Sequence, residues 1–133
     1  MTIIKELRVI IAGGRDFDDF PLLMDRCIEI LSERTKDSNY EKIRIVSGTA
    51  RGADKLGEQY ANVAHYDISR FPADWDSLGK RAGYVRNVEM AKYASEDNGG
   101  MLITFWDGKS RGTKHMINLA KRYGLEVHTV TYQ

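Results

Sequence analysis

The chain has 133 residues, of which 42% are apolar and 29% charged, with only two prolines, the balance of a folded globular domain rather than a disordered or fibrous chain. Twenty Lys and Arg against 19 Asp and Glu leave a net charge of +1, which excludes a chain-wide electrostatic grip on nucleic acid but not charge concentrated on one face. Cys27 has no second cysteine to pair with, no apolar run approaches the roughly 20 residues that span a bilayer, and the opening MTIIKELRVIIAGG lacks the layout of a cleavable signal; one cytoplasmic domain over residues 1–133, away from membranes, is expected.

Along the chain, strand-like and helix-like apolar patterns alternate. The run Leu7 to Ala12 stops at Gly13-Gly14 and predicts a buried strand ending in a tight loop. Phe20, Leu23, Cys27, Ile30 and Leu31 then recur at helical spacing until the polar stretch Thr35 to Asn39. Ile43 to Val46 predicts the second strand, closed by Ser47-Gly48-Thr49, and Ala53, Leu56, Tyr60 and Val63 predict the next helix. A weaker third strand is placed from His65 to Phe71, ended by Pro72, which favours an extended residue before it. Ala82, Val85 and Val88 mark a helix to about Ala94. The turn Glu96 to Gly100 precedes a fourth strand, Met101 to Trp106. Met116, Leu119, Ala120 and Tyr123 make the last helix, Gly124 stands where a C-terminal cap belongs, and Leu125 to Thr131 is the fifth strand.

Alternating strands and helices whose strands are apolar throughout predict an α/β fold: a Rossmann-like, doubly wound, mainly parallel five-stranded sheet with helices on both faces. Such sheets bind ligands beyond the carboxyl ends of their strands, near the point where strand order reverses. The residues at those ends are therefore the candidates for function.

Behind the first strand stands Gly13-Gly14-Arg15-Asp16, where two glycines permit close backbone approach to a ligand and a cation and carboxylate sit beside them; a tight turn with solvated charges is the plain alternative. Behind the second, Ser47-Gly48-Thr49-Ala50-Arg51-Gly52-Ala53-Asp54 puts a small hydroxyl- and glycine-bearing loop before a helix whose free N–H groups attract an anion. Arg51 adds a charged fork, whereas Asp54 equally suits a helix start. Trp75 offers a ring to a base or to a core, and Lys80 and Arg81 are either ligand cations or solvated. Arg86, beside Asn87, lies one turn from Met90, so both look into one crevice. Behind the fourth strand, Trp106-Asp107-Gly108-Lys109-Ser110-Arg111-Gly112-Thr113 repeats the pattern of glycine loop and helix start. These cations would form a basic rim suited to phosphate. Asp16, Asp54 and Asp107 could accept ribose hydroxyls, balance the arginines or hold a hydrated Mg²⁺ arriving with a nucleotide; no metal-ligand spacing supports a resident ion, and no cofactor is required. His115 reads as a surface histidine. Neither a Walker A motif nor a G-x-G-x-x-G fingerprint is present.

Taken together, Gly13-Gly14-Arg15-Asp16-Phe17, Val46 to Asp54, Phe71-Pro72-Ala73-Asp74-Trp75, Gly79 to Gly83, Arg86-Asn87 and Trp106 to Thr113 resemble the SLOG superfamily, named for the Smf DNA-processing proteins and the Lonely Guy enzymes, in its YspA-like branch. The resemblance implies a Rossmann-like fold whose strand-end loops bind nucleotides or nucleotide-derived molecules, self-association as a homodimer or larger assembly, and roles in phage–host conflict. Ser47 to Asp54 is similar to the S-G-x-A-R-G-I-D motif of DNA-processing protein A, which binds single-stranded DNA. Arg86-x-x-x-Met90 and Gly112-Thr113 resemble the Lonely Guy enzymes, which cleave the N-glycosidic bond of nucleoside 5′-monophosphates with an arginine that maps onto Arg86 and a P-G-G-x-G-T-x-x-E motif. Here Lys109-Ser110 replace opening residues of that motif and the glutamate position falls on Met116, whose thioether cannot act as a carboxylate. The leading expectation is therefore a nucleotide-binding sensor or sequestering protein. A nucleotide hydrolase with Arg86 and Asp54 as candidate catalytic residues comes second, and a single-strand nucleic-acid binder third, since that would need a continuous basic track.

Overall fold

The computed structural model describes residues 5–36, 40–96 and 99–133. Strands β1 (Lys5–Gly13), β2 (Tyr40–Ser47), β3 (Asp67–Arg70), β4 (Gly100–Trp106) and β5 (Glu126–Thr131) alternate with helices α1 (Phe20–Thr35), α2 (Ala53–Ala64), α3 (Trp75–Leu78), α4 (Ala82–Ser95) and α5 (Arg111–Arg122); a 3₁₀ turn, Gly79–Arg81, joins α3 to α4. The sheet order is β3-β2-β1-β4-β5 and every neighbouring pair is parallel. Strand order reverses between β1 and β4, so the loops leaving these two strands part to opposite faces and open a crevice.

Side chains on a strand alternate between faces, which divides the core in two. Leu7, Val9 and Ile11 of β1 and Met101, Ile103 and Phe105 of β4 pack against Leu23, Cys27 and Leu31 of α1 and Tyr60 and Ala61 of α2. Ile10, Ala12, Val46 and Leu102 pack on the other face against Met90, Ala91 and Ala94 of α4 and Met116, Leu119 and Ala120 of α5. Burial on both faces is why the centres of these strands, Val9 to Ala12 and Met101 to Ile103, read as apolar on successive positions, and each fully buried Ile or Leu contributes about 1.5–3 kcal/mol. Burial also pushes the Cys27 thiol up to about 12, leaving it a core residue rather than a nucleophile.

Three expectations are corrected. The inward face of α4 is Ala82, Arg86, Asn87, Met90, Ala91 and Ala94, while Val85 is exposed, because this helix turns polar residues into the crevice. Val63 is likewise exposed, the inward side of α2's last turns being taken by Tyr60 and Ala61. The third strand is four residues long, an edge strand paired with β2 alone, although Phe71 N–H still donates to Ser47 O at 2.8 Å. Of the two polar turns, residues 37–39 and 97–98 lie outside the described residues. No described helix is long and apolar enough to cross a membrane.

Candidate functional site

The crevice at the β1/β4 crossover is a cleft of about 480 Å³, within the range of small-molecule sites. Its walls come from four segments: the β1 loop, the β2 loop with the start of α2, the stretch from α3 into α4, and the β4 loop with the start of α5.

The first two segments are joined through their backbones. Gly52 has φ +81°, and a Cβ there would lie 2.2 Å from Gly14 O and 2.7 Å from the Arg15 Cα, so only glycine lets the loops meet. Ala53 N–H donates to Gly14 O at 3.1 Å, so one of the N–H groups at the start of α2 is already satisfied and the anion site expected there is narrower than the sequence implied. Ser47 frames the loop from behind: its hydroxyl donates to Glu58 Oε2 at 2.6 Å and accepts Thr49 N–H at 3.1 Å, while Glu58 Oε1 accepts Arg70 Nε–H at 2.9 Å.

At the floor, Asp54 and Arg86 are both buried. Asp54 Oδ2 accepts Ala50 N–H at 3.2 Å. Burial pushes this carboxyl up to about 6, with Arg86 opposing the rise. Arg86 donates from Nη1 to Gly48 O and from Nε to Asn87 Oδ1 at 3.1 Å, leaving Nη2 without a hydrogen bond. Burial lowers its pKa and Asp54 opposes that, and a guanidinium so far above neutrality stays charged.

Toward the mouth, the Arg15 guanidinium lies 5.6 Å from the centre of the half-exposed Trp75 ring. Tyr132 O–H donates to Asp16 Oδ1 at 2.7 Å. Asp107 Oδ1 accepts the N–H groups of Lys109 and Ser110, both at 2.8 Å, and these amides hold its carboxyl below the usual range. Ser110 Oγ caps α5 by accepting Thr113 N–H at 3.4 Å.

Of the residues singled out from the sequence, Gly13, Gly14, Arg15, Asp16, Arg51, Asp54, Trp75, Lys80, Arg86, Asn87, Asp107, Ser110, Gly112 and Thr113 line this one cleft. Gly48 and Gly52 stand behind its lining, against Arg86 and Gly14. The lining leaves out Ser47, Arg81, Trp106, Gly108, Lys109 and Arg111. Ser47 is tied to Glu58, and the Trp106 indole N–H donates to Ser110 O at 3.1 Å while its ring packs on the α4/α5 core. Arg81, Gly108, Lys109 and Arg111 are exposed outside the cleft, so the basic rim is smaller than expected. Met90 joins Arg86 inside, as their spacing of four predicts, and Met116 is there too. Tyr84 in the lining and Tyr132 behind Asp16 were not singled out; no local spacing marks Tyr132, which reaches Asp16 from the far end of the chain. His115 is not a free surface residue: its ring is half-buried, bonded to Asn87 and met edge-on by Tyr84 at 4.6 Å. Among the described residues no group of three or more His, Cys, Asp or Glu is arranged to hold a metal.

A family model described as the YspA, cpYpsA-related SLOG family matches residues 7–77, a stretch that carries the glycine loops after β1 and β2 and Trp75. The chain is similar to the Gene 61 protein of Mycobacterium phage D29, with 31% identity over 125 residues covering 90% of this chain and 93% of the phage protein. No solved structure matches the chain.

Proposed function

The chain belongs to the YspA, cpYpsA-related SLOG family, and from that premise we propose that the crossover cleft binds a nucleotide or nucleotide-derived ligand, as a sensor or sequestering protein. The observation that carries this reading is the convergence of Arg15, Arg51, Lys80 and Arg86 into one cleft of a chain whose net charge is only +1. In this reading the open Nη2 of Arg86 takes a phosphate oxygen, Trp75 stacks on the base and Asp16 accepts a ribose hydroxyl. Mg²⁺ would enter only with the ligand's phosphates. A mycobacteriophage relative suits a role in phage–host conflict, and self-association into a homodimer or larger assembly is the companion expectation.

A second reading, hydrolysis of a nucleotide at its glycosidic or phosphate bond, is favoured by one feature. The Asp54 carboxyl, pushed up to about 6 beside Arg86, is poised to exchange a proton near neutral pH. Methionine at position 116 counts against Lonely Guy-type chemistry.

Mass spectrometry of small molecules extracted from the purified protein, with incubation against nucleoside mono-, di- and triphosphates, nicotinamide dinucleotides and cyclic nucleotides, tests both. One nucleotide recovered intact supports binding. Free base or phosphate released by the wild type and not by Arg86→Ala moves the assignment to a hydrolase. No uptake of any of them removes both readings.

A further inference from the structure

We infer that His115 is a positioning residue, which through Asn87 fixes the plane in which Arg86 presents its guanidinium to the cleft.

The argument follows the direction of each hydrogen bond. Arginine carries only donors, so the Asn87 atom 3.1 Å from Arg86 Nε must be the amide oxygen. That choice turns Asn87 Nδ2 toward α5, where it lies 3.2 Å from His115 Nδ1 and 3.5 Å from Gly112 O. An amide nitrogen only donates. His115 Nδ1 must therefore accept, which requires a neutral ring with its hydrogen on Nε2. A ring hydrogen on Nδ1 would set N–H against N–H and release Asn87 to rotate. The surroundings keep the ring neutral: burial and the charge of Arg122 on the same helix both lower its affinity for a proton. The edge-to-face contact with Tyr84, at an interplanar angle of 89°, holds the ring in place from α4.

The consequence reaches the cleft. Arg86 is anchored at Nη1 by the β2 loop and at Nε by Asn87, which is itself held by α5. Two anchors on separate elements define a plane, and Nη2 is the N–H group left for a ligand. The value of this device to the protein rests on the reading of the cleft as an anion-binding site, but the relay exists without ligand and is tested without it.

The test is ¹⁵N NMR on the ligand-free full chain above neutral pH. The expected result is a neutral His115 with Nδ1 unprotonated, and an Arg86 Nε–H that exchanges slowly with solvent. His115→Leu should speed that exchange about five- to tenfold relative to neighbouring amides, as loss of one buried hydrogen bond predicts. His115→Gln, whose side-chain oxygen can accept from Asn87, should restore most of the protection. A purely structural histidine would lower the melting temperature in both variants and leave the relative exchange at Arg86 alone. A hydrogen on Nδ1 of the neutral ring, or equal Arg86 Nε–H exchange in wild type and variants, overturns the proposal. If His115→Leu does not fold, the wild-type tautomer and the His115→Gln exchange decide it. An intact relay in a protein that takes up no nucleotide supports the proposal while removing the binding reading; a disrupted relay beside normal nucleotide uptake does the reverse.

Discussion

Asp54 and Arg86 meet across Gly48: a Cβ built on that glycine would lie 2.7 Å from Asp54 Oδ2 and 2.7 Å from Arg86 Nη1. Acid and cation thus share the floor of one cleft, each bound to the loop between them, Asp54 through Ala50 N–H and Arg86 through Gly48 O. Gly48→Ala would push two side-chain ends apart rather than break backbone packing. It should cost about 1–2 kcal/mol in a urea melt, and nucleotide affinity should fall about tenfold as Arg86 leaves Gly48 O. Unchanged affinity would detach that contact from binding.

Asp54 also sets a pH dependence. Its carboxyl goes from an ordinary 3.8 to about 6 in the folded chain, so the native state holds this proton more tightly than the unfolded state does. The stability this provides is fully present below the unfolded value and is lost as pH rises through about 6, by an amount on the order of 3 kcal/mol. Asp54→Asn keeps an acceptor for Ala50 N–H and removes the penalty. The variant should be more stable than wild type by about 1–3 kcal/mol above neutral pH, with the gap closing near about pH 4. Denaturant melts across pH check this; a gap that does not change with pH contradicts it.

Gly52 and Trp75 should separate folding from binding. At Gly52 a side chain meets backbone, with Gly14 O at 2.2 Å, on a φ of +81°, so Gly52→Ala should lose more than about 2 kcal/mol of stability. Trp75 is 48% exposed. Trp75→Ala should leave stability within about 0.5 kcal/mol while weakening nucleotide binding by about 1–3 kcal/mol through lost stacking. Melting and titration of the two variants side by side provide the check, and a Trp75→Ala protein that binds normally would place the base elsewhere.

Tyr132 ties the end of the chain to the β1 loop. Its ring packs against Phe17 at 4.8 Å and its hydroxyl donates to Asp16. Tyr132→Phe keeps the ring and removes the bond, so about 1 kcal/mol of stability should go and the Asp16 loop should gain mobility in amide exchange. Identical exchange at Gly14 to Phe17 would show that the hydroxyl does not hold the loop.

Much of this was legible in the residues. The apolar run from Val9 to Ala12 is long enough only for a strand buried on both faces, and parallel strands deliver Gly13-Gly14, Ser47 to Asp54 and Asp107 to one edge of the sheet. Apolar spacing points Val85 inward because it finds a core, whereas this helix turns Arg86 and Asn87 toward a polar cleft. Ser47 and Trp106 carry suitable chemistry at suitable places, yet their polar atoms are engaged by Glu58 and Ser110. Tyr132 with Asp16 and His115 with Asn87 join elements far apart in sequence, which no motif or period encodes.

The most direct test of nucleotide binding in the crossover cleft is an NMR titration of the ¹⁵N-labelled chain with the nucleotide that the extraction and panel identify. The shifts should gather at Gly13 to Asp16, Ala50 to Asp54, the Trp75 indole and the Arg86 guanidinium, and should vanish in Arg86→Ala. Shifts confined to the groove between α1 and β5, around Ile30 and His128, or shifts that persist unchanged in Arg86→Ala, would contradict the account.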